Sequence, residues 1–419
     1  MSILAPGGPL LPQSNAIFLE GFFVALSAEL NDDFTRVGKG TPCGELFRRY
    51  WLPLAPASEL STEHPKKRVR ILGEDLVLYR DAHGKLGLIP EHCPHRHASL
   101  YFGFLGEEGG LRCAYHGWRF DTEGNCVEQP FEPPESKLRA LACRPHYQVQ
   151  QLAGILWGYL GPDPAPLLPR WDLLVREDGM RAITVLPMHH CNWLQAQENS
   201  HDPVHTIYLG RMLQEIQPVG NEGAIAYYGR PLEKYDFEVC REPAWSGIRK
   251  TREFGGEKPQ RELGHPAIFP NALVNPQSDK IVMHFRTPVD DEHTYILWSE
   301  FIPSADGARV NQPDEAIPVS YLPHPRRPDG EYDLMTFVNH DIMAWETQGA
   351  VYDRSTELLG VSDRGITLFR KMLREEIDKV KAGEDPAGVI RDPALNKSIP
   401  VGKAAADQFR LRVEFQAAQ

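Results

Sequence analysis

The chain has 419 residues, 42 % of them apolar or aromatic, and a formal net charge of −12 at pH 7. That length exceeds a single minimal module, and that apolar fraction allows a sizeable core and excludes global disorder. An acidic balance without a basic stripe argues against nucleic acid as the main partner. Histidine outnumbers cysteine, 16 to 7. The cysteines are odd in number and dispersed, at 43, 93, 113, 126, 143, 191 and 240. That is not a secreted disulfide framework, and a reducing, cytoplasmic compartment is expected.

Residues 1–28, with Pro6, Pro9 and Pro12, read as an N-terminal extension. The stretch Ala16 to Ala28, broken by Glu20, imitates the apolar part of a signal peptide. No Lys or Arg precedes Arg36, however, so secretion is not expected, and no run of 18 apolar residues occurs, so no membrane span is expected. A helix is expected near Cys43 to Trp51. From Arg68 to Trp157 the chain reads as short strands: Val69, Ile71, Leu76 and Leu78 alternate with other residues, and Asp81 to Gly84 makes a hairpin turn. Pro162, Pro164, Pro166 and Pro169 crowd into a linker, which places a boundary near residue 165. The expected units are 29–165 and 166–419.

The second unit begins with a strand over Ile183 to Leu186 and a single helix from Cys191 to about Thr206. Strands are expected at Ile225 to Tyr228, Tyr235 to Cys240, Ile281 to Thr287 and Tyr295 to Ile302. A Pro-rich surface loop covers 312–330, and a helix covers Met343 to Gly349. Ile366, Phe369, Leu373, Ile377 and Val380 then form one apolar helical face. The fold class is α+β. Gly38-Lys-Gly40-Thr-Pro-Cys-Gly44 imitates a dinucleotide fingerprint, but its third Gly is one position late and Pro42 intrudes.

The densest chemistry is Cys93-Pro-His95 followed by Cys113-Ala-Tyr-His116. Each half offers one thiolate and one imidazole. Four such ligands can hold one tetrahedral zinc ion or one Rieske [2Fe–2S] centre. Zinc sites usually pair Cys with Cys at short spacing, so a Cys–His pair in each loop favours the Rieske centre. The other five cysteines (43, 126, 143, 191 and 240) are expected to be buried small hydrophobes.

Cys93-Pro-His-Arg and Cys113-Ala-Tyr-His-Gly-Trp118 closely resemble the cluster loops of Rieske ring-hydroxylating oxygenases. They resemble respiratory Rieske proteins less, because those carry an extra Cys pair. The resemblance implies a potential in the lower part of the Rieske range, about −150 mV. Gly40 to Trp51, Val69 to Tyr79, Gly264-His-Pro, Thr287 to Asp291, Asp353-Arg354 and Leu359 to Gly365 are similar to the phthalate dioxygenase branch. Members of that branch are homo-oligomeric oxygenase components acting on aromatic acids or methoxylated aromatics. A small all-β Rieske domain joined to a larger helix-grip-type catalytic domain is the implied architecture.

The family also implies a mononuclear iron held by two His and one carboxylate. Asn199, Asp202 and His205 match its motif: Asp202 resembles the bridging carboxylate that carries electrons, and His205 the first iron ligand. Asp341, within Val338-Asn-His-Asp, resembles the iron carboxylate. The second His is expected at position 210, which is Gly210. Three readings follow: fewer protein ligands, with water filling the gap; substitution by His201 or His340; or a lost iron site.

The resemblance implies an electron path from the His116 side of the cluster through Asp202 to His205. In the family this path crosses between subunits, so a head-to-tail ring, commonly a trimer, is implied. No flavin or nicotinamide motif occurs, so a separate reductase is required. An aromatic carboxylate substrate needs an Arg anchor, for which Arg211, Arg230 and Arg249 are candidates. The competing readings are an inactive or iron-deficient paralogue serving as electron carrier or structural subunit, and a zinc protein.

Overall fold

The computed structural model describes residues 25–217, 231–255, 260–262, 266–277 and 279–401. The expected strand at Ile225 to Tyr228, the candidate anchor Arg230, Gly264-His265 and nearly all of the 1–28 extension lie outside the described residues. Two short helices come first. α1 (Ala28–Thr35) starts where the Ser27 hydroxyl accepts from the Leu30 amide, and α2 (Pro42–Phe47) starts with Thr41 capping the Gly44 amide and Pro at the first helical position.

Three small antiparallel sheets follow. β1 (Trp51–Pro56) pairs with β9 (Ile155–Tyr159), which pairs with β8 (Gln148–Leu152). β2 (Lys66–Ile71), β3 (Glu74–Arg80) and β4 (Leu86–Pro90) form a meander. Its second turn is closed by Asp81, whose side chain accepts from the His83 and Lys85 amides. β5 (Leu111–Arg112), β6 (Arg119–Phe120) and β7 (Cys126–Glu128) form the third sheet, followed by the short α3 (Leu138–Leu141).

The second unit opens with α4 (Asp172–Val175) and β10 (Gly179–Val185). The single helix expected over Cys191 to Thr206 is instead two, α5 (Trp193–Asn199) and α6 (His205–Ile216). Pro203 lies in the turn between them, where it cannot donate to a helical ladder. The large sheet is built from β11 (Leu232–Glu242), β12 (Trp245–Phe254), β13 (Gln260–Glu262), β14 (Pro266–Ile268), β15 (Ala272–Pro276), β16 (Ile281–Pro288), β17 (Thr294–Pro303) and β18 (Val319–Tyr321) together with β10. Its order is β11-β12-β14-β15-β16-β17-β10-β18, with β13 beside β12; only β10–β18 is parallel. β18 falls inside the Pro-rich segment expected to be loop. α7 (Phe337–Glu346) and α8 (Arg364–Lys381) complete the unit.

The large sheet is covered on both faces. Met283, Phe285 and Phe301 meet Trp51 and Trp157 of the small unit. Phe237 and Ile248 meet Phe369, Leu373 and Ile377 of α8. α1 and α2 pack on the helices of the second unit: Phe47 meets Trp193 of α5 edge-on at 4.7 Å between ring centroids. Cys43, Cys126, Cys191 and Cys240 are buried as expected, whereas Cys143 is exposed at the end of α3.

Candidate metal centres

The two cluster loops share one backbone design. The Cys93 amide donates to the Ala98 carbonyl at 2.9 Å, and the His97 amide returns to the Cys93 carbonyl at 2.9 Å. Twenty residues on, the Cys113 amide donates to the Trp118 carbonyl at 2.8 Å, and the Gly117 amide to the Cys113 carbonyl at 3.1 Å. Both loops turn through a left-handed residue, His97 at φ 60° and Gly117 at φ 72°. Glycine takes that conformation freely; histidine does so at a cost. Arg112 braces the second loop by donating to the Gly117 carbonyl and pairing with Glu108 and Glu128.

These turns bring the expected four side chains together. Cys93 and Cys113 lie buried and adjacent, while His95 and His116 stand outside them, ring centroids 4.4 Å apart. His95 stacks flat on Trp118 at 4.6 Å. Burial, with the neighbouring Cys113, pushes the Cys93 thiol up to about 11, so a thiolate there needs a cation to compensate it. Two sulfurs inside and two imidazoles at the exposed edge suit a cluster in which the His pair and the Cys pair serve different irons.

The second centre is built on three helices. Asp202, in the α5–α6 turn, accepts from the Val204 amide at 2.6 Å and the His205 amide at 3.3 Å, so it starts α6. Its other oxygen lies 3.4 Å from His205 Nδ1, within ion-pair range but not aligned as a hydrogen bond. On the opposite side of the ring, His205 Nε2 lies 3.9 Å from Asp341 Oδ1 of α7. Asn199, the last residue of α5, donates to that same oxygen at 3.5 Å.

The His205 imidazole thus stands between two carboxylates. Burial alone would raise the Asp202 carboxyl, but His205, the Val204 amide and the Lys250 cation outweigh it and hold it at about 2. For Asp341 burial wins over His205, Arg286, Asn199 and Lys250, and its carboxyl is raised. A 3.9 Å gap between Nε2 and Oδ1 is one that a single ion with bonds of about 2.1 Å can bridge. The residues present therefore fit an iron with two protein ligands.

Neither proposed substitute for the missing His joins them. His201 is buried with its ring stacked on Phe369 at 4.4 Å, and neither ring nitrogen has a hydrogen-bond partner. Burial and the nearby Lys250 and Arg286 lower it to about 3, so the ring is neutral. His340 is also buried, with Nε2 2.7 Å from the Leu334 carbonyl. Gly210 sits buried within α6.

Buried charges surround this centre. Lys250 Nζ donates to the Asp202 carbonyl at 2.8 Å; burial and Arg252 lower it to about 7. Arg286 is 2 % exposed, donates from Nη1 to Gln197, and has no carboxylate within ion-pair reach among the described residues. Burial lowers it to about 10, with Asp341 opposing. Glu198 is shared by Arg354 and Arg370, and Glu357 completes that buried quartet.

Of the expected anchors, Arg211 is exposed beside the Tyr208 ring and Arg249 is paired with Glu238 at 2.8 Å. A buried guanidinium near Asp341 with no ion pair among the described residues is Arg286, which was not anticipated from the sequence. Lys250 and Arg252 were also missed. Their one signal is spacing: Ile248, Lys250, Arg252 and Phe254 alternate onto the same buried face of β12.

The Rieske [2Fe-2S] domain family matches residues 50–149, and the family described as "LigXa C-terminal domain like" matches residues 328–404. The 5,5'-dehydrodivanillate O-demethylase oxygenase subunit of Sphingobium sp. is 39 % identical over 386 residues, covering 90 % of this chain and 86 % of that protein. The phthalate 4,5-dioxygenase oxygenase subunit of Pseudomonas putida is 29 % identical, covering 87 % and 89 %. Among solved structures, the oxygenase of a carbazole 1,9a-dioxygenase oxygenase–ferredoxin complex matches with a TM-score of 0.60 at 20 % identity. It covers 89 % of this chain and 98 % of that one, a likeness of fold.

Proposed function

The chain belongs to the Rieske aromatic oxygenases, as an oxygenase component that hydroxylates or demethylates an aromatic substrate, and from that premise we propose that it O-demethylates a methoxylated aromatic acid. The cluster unit spans 29–165 and the catalytic unit 166–419. Cys93, Cys113, His95 and His116 hold the cluster. His205 and Asp341 hold the mononuclear iron, and Asn199 orients Asp341. The observation that carries this assignment is the His205 imidazole bracketed by Asp202 and Asp341.

When bound, the iron supplies O2 activation at positions the protein leaves open. Asp202 fixes the tautomer and orientation of His205 through Nδ1, leaving Nε2 as the ligand nitrogen. Its carboxylate is the electron bridge, facing a neighbouring copy whose His95–His116 edge docks there in a trimeric ring. Electrons arrive from a separate NAD(P)H-dependent reductase, and the assembly works in the cytoplasm. No helix among the described residues is long and apolar enough to cross a membrane. Arg286, buried without a carboxylate partner, receives the substrate's carboxylate.

The test is turnover with methoxylated aromatic acids, O2 and a reductase. Formaldehyde release supports demethylation; a cis-diol product replaces it with ring dioxygenation. Gly210 favours a second reading, an iron-deficient electron carrier or structural subunit. Iron analysis separates the two: three irons per chain keep the oxygenase, and cluster iron alone leaves the carrier.

A further inference from the structure

The turn that joins α5 to α6 carries Asp202 and leads directly into His205; its His201 and Asp202 amides donate to the last carbonyls of α5, those of Glu198 and Asn199, at 2.9 and 3.2 Å. Two buried cations of one strand bind its own carbonyls and the first turn of α6. Lys250 is 6 % exposed, and its Nζ donates to the Asp202 carbonyl at 2.8 Å. Arg252, 3 % exposed, donates from Nη1 to the Thr206 hydroxyl at 2.7 Å and to the Pro203 carbonyl at 3.4 Å. Its other nitrogens face Glu262, at 2.9 Å from Nε and 2.8 Å from Nη2. The contacts fall at 202, 203 and 206, on both sides of His205. They come from β12, which is paired with β11 on one side and β14 on the other, so they tie the turn to the large sheet.

We infer that Lys250 and Arg252 are positioning residues that clamp the turn, so that Asp202 and His205 keep the spacing electron delivery requires. The inference rests on the proposed roles of Asp202 and His205. Lys250 makes no hydrogen bond to the carboxylate of Asp202 or to the His205 ring; beyond the pull of its charge on that carboxylate, it fixes the main chain at Asp202. Burying an ammonium is costly, and a carbonyl acceptor alone does not offset that cost. A placement role accounts for a lysine on a strand face where Ile248 and Phe254 are apolar.

The test is hydrogen exchange followed by mass spectrometry on the cluster-loaded protein, wild type against Lys250→Met and Lys250→Gln. Losing one charged, buried hydrogen bond corresponds to about a tenfold rise in amide exchange. We expect that rise for residues 203–207 in Lys250→Met, a smaller one in Lys250→Gln, and unchanged exchange in α8. With reductase and substrate present, kcat falls about tenfold while KM and the rate of cluster reduction stay at wild-type values. Unchanged exchange over 203–207, or an equal rise throughout the catalytic unit, overturns the clamp. The exchange measurement needs no mononuclear iron. A wild-type protein without that iron therefore breaks the functional reading alone.

Discussion

The two metal centres are made in opposite ways. In the cluster unit all four proposed donors lie between Cys93 and His116, on two loops with the same hydrogen-bond pattern, and each loop closes on itself. In the catalytic unit the proposed donors His205 and Asp341 come from separate helices, α6 and α7. The turn before His205 is held by Lys250 and Arg252 from the sheet and lies against the start of α8, while Asp341 is held by Asn199. The cluster loops are self-contained, while the iron site is assembled by the tertiary structure. Damage to distant supports should therefore spare the first and degrade the second.

The largest expected effect lies at Glu198, beside Asn199. Burial alone would raise its carboxyl, but Arg354 and Arg370 outweigh burial and hold it below the ordinary carboxylate range. Glu198→Ala leaves two buried guanidiniums facing a gap, which costs about 3–5 kcal/mol. Thermal melting should show this for the catalytic unit while the cluster's visible absorption survives at lower temperature. The sign with pH follows from the depressed value. The stabilisation is complete above the unfolded carboxylate range and is lost as pH falls through the lower folded value. The wild type should therefore lose stability on acidification more steeply than the variant, and parallel acid limbs would remove Glu198 from this role.

At Asp202 the comparison is sharpened by separating binding from transfer. Asp202→Asn keeps the amide-capping geometry but removes the charge that holds His205. Both metals should remain bound and the cluster should still be reduced, while turnover falls about 100-fold, equivalent to about 2.7 kcal/mol. Metal analysis with a coupled formaldehyde assay checks this. Retained turnover would refute the bridge.

Gly365 supplies the next step down. A Cβ there would meet the His201 carbonyl at 2.2 Å and the Phe237 ring at 2.4 Å, so the start of α8 presses on the residue before Asp202. Gly365→Ala forces backbone apart and should cost about 2 kcal/mol, read as a lower denaturant midpoint. Iron should be lost from the mononuclear site before the cluster bleaches.

This contrast also explains what could be read in the sequence. The cluster was visible because its chemistry is local: Cys-x-His and Cys-x-x-His propose the ligands within two short loops, and Gly117 provides a turn. The apolar face of α8 followed from its spacing and parts of β10, β11, β16 and β17 were expected as strands, while the antiparallel sheet that joins them was implied only by the resemblance. The break between α5 and α6 was missed because helical spacing was read straight through Pro203. Lys250, Arg252 and Arg286 were missed because a charged residue in a strand reads as solvent-facing until the sheet's other layer is known. His201 was overvalued as a substitute ligand for the converse reason. Four-residue spacing from His205 suggested a shared helical face, but α5 ends at Asn199 and α6 begins at His205, so His201 lies in the turn and its ring stacks on Phe369.

Gly210 is where the assembled site is incomplete, and filling it is the smallest and most decisive change. The position lies buried in α6, five residues after His205, where the family's second ligand is expected. If His205 and Asp341 alone hold the iron, Gly210→His adds a third donor and should strengthen ferrous iron binding about tenfold, equivalent to about 1.4 kcal/mol. Removing a helical glycine also favours α6 by up to about 1 kcal/mol, so binding must be compared with Gly210→Ala, which shares the helix gain without the donor. Tighter iron in the His variant than in the Ala variant supports the two-donor centre. Equal affinity would mean that the third position is already satisfied from elsewhere, and the iron site would then be as complete as the cluster.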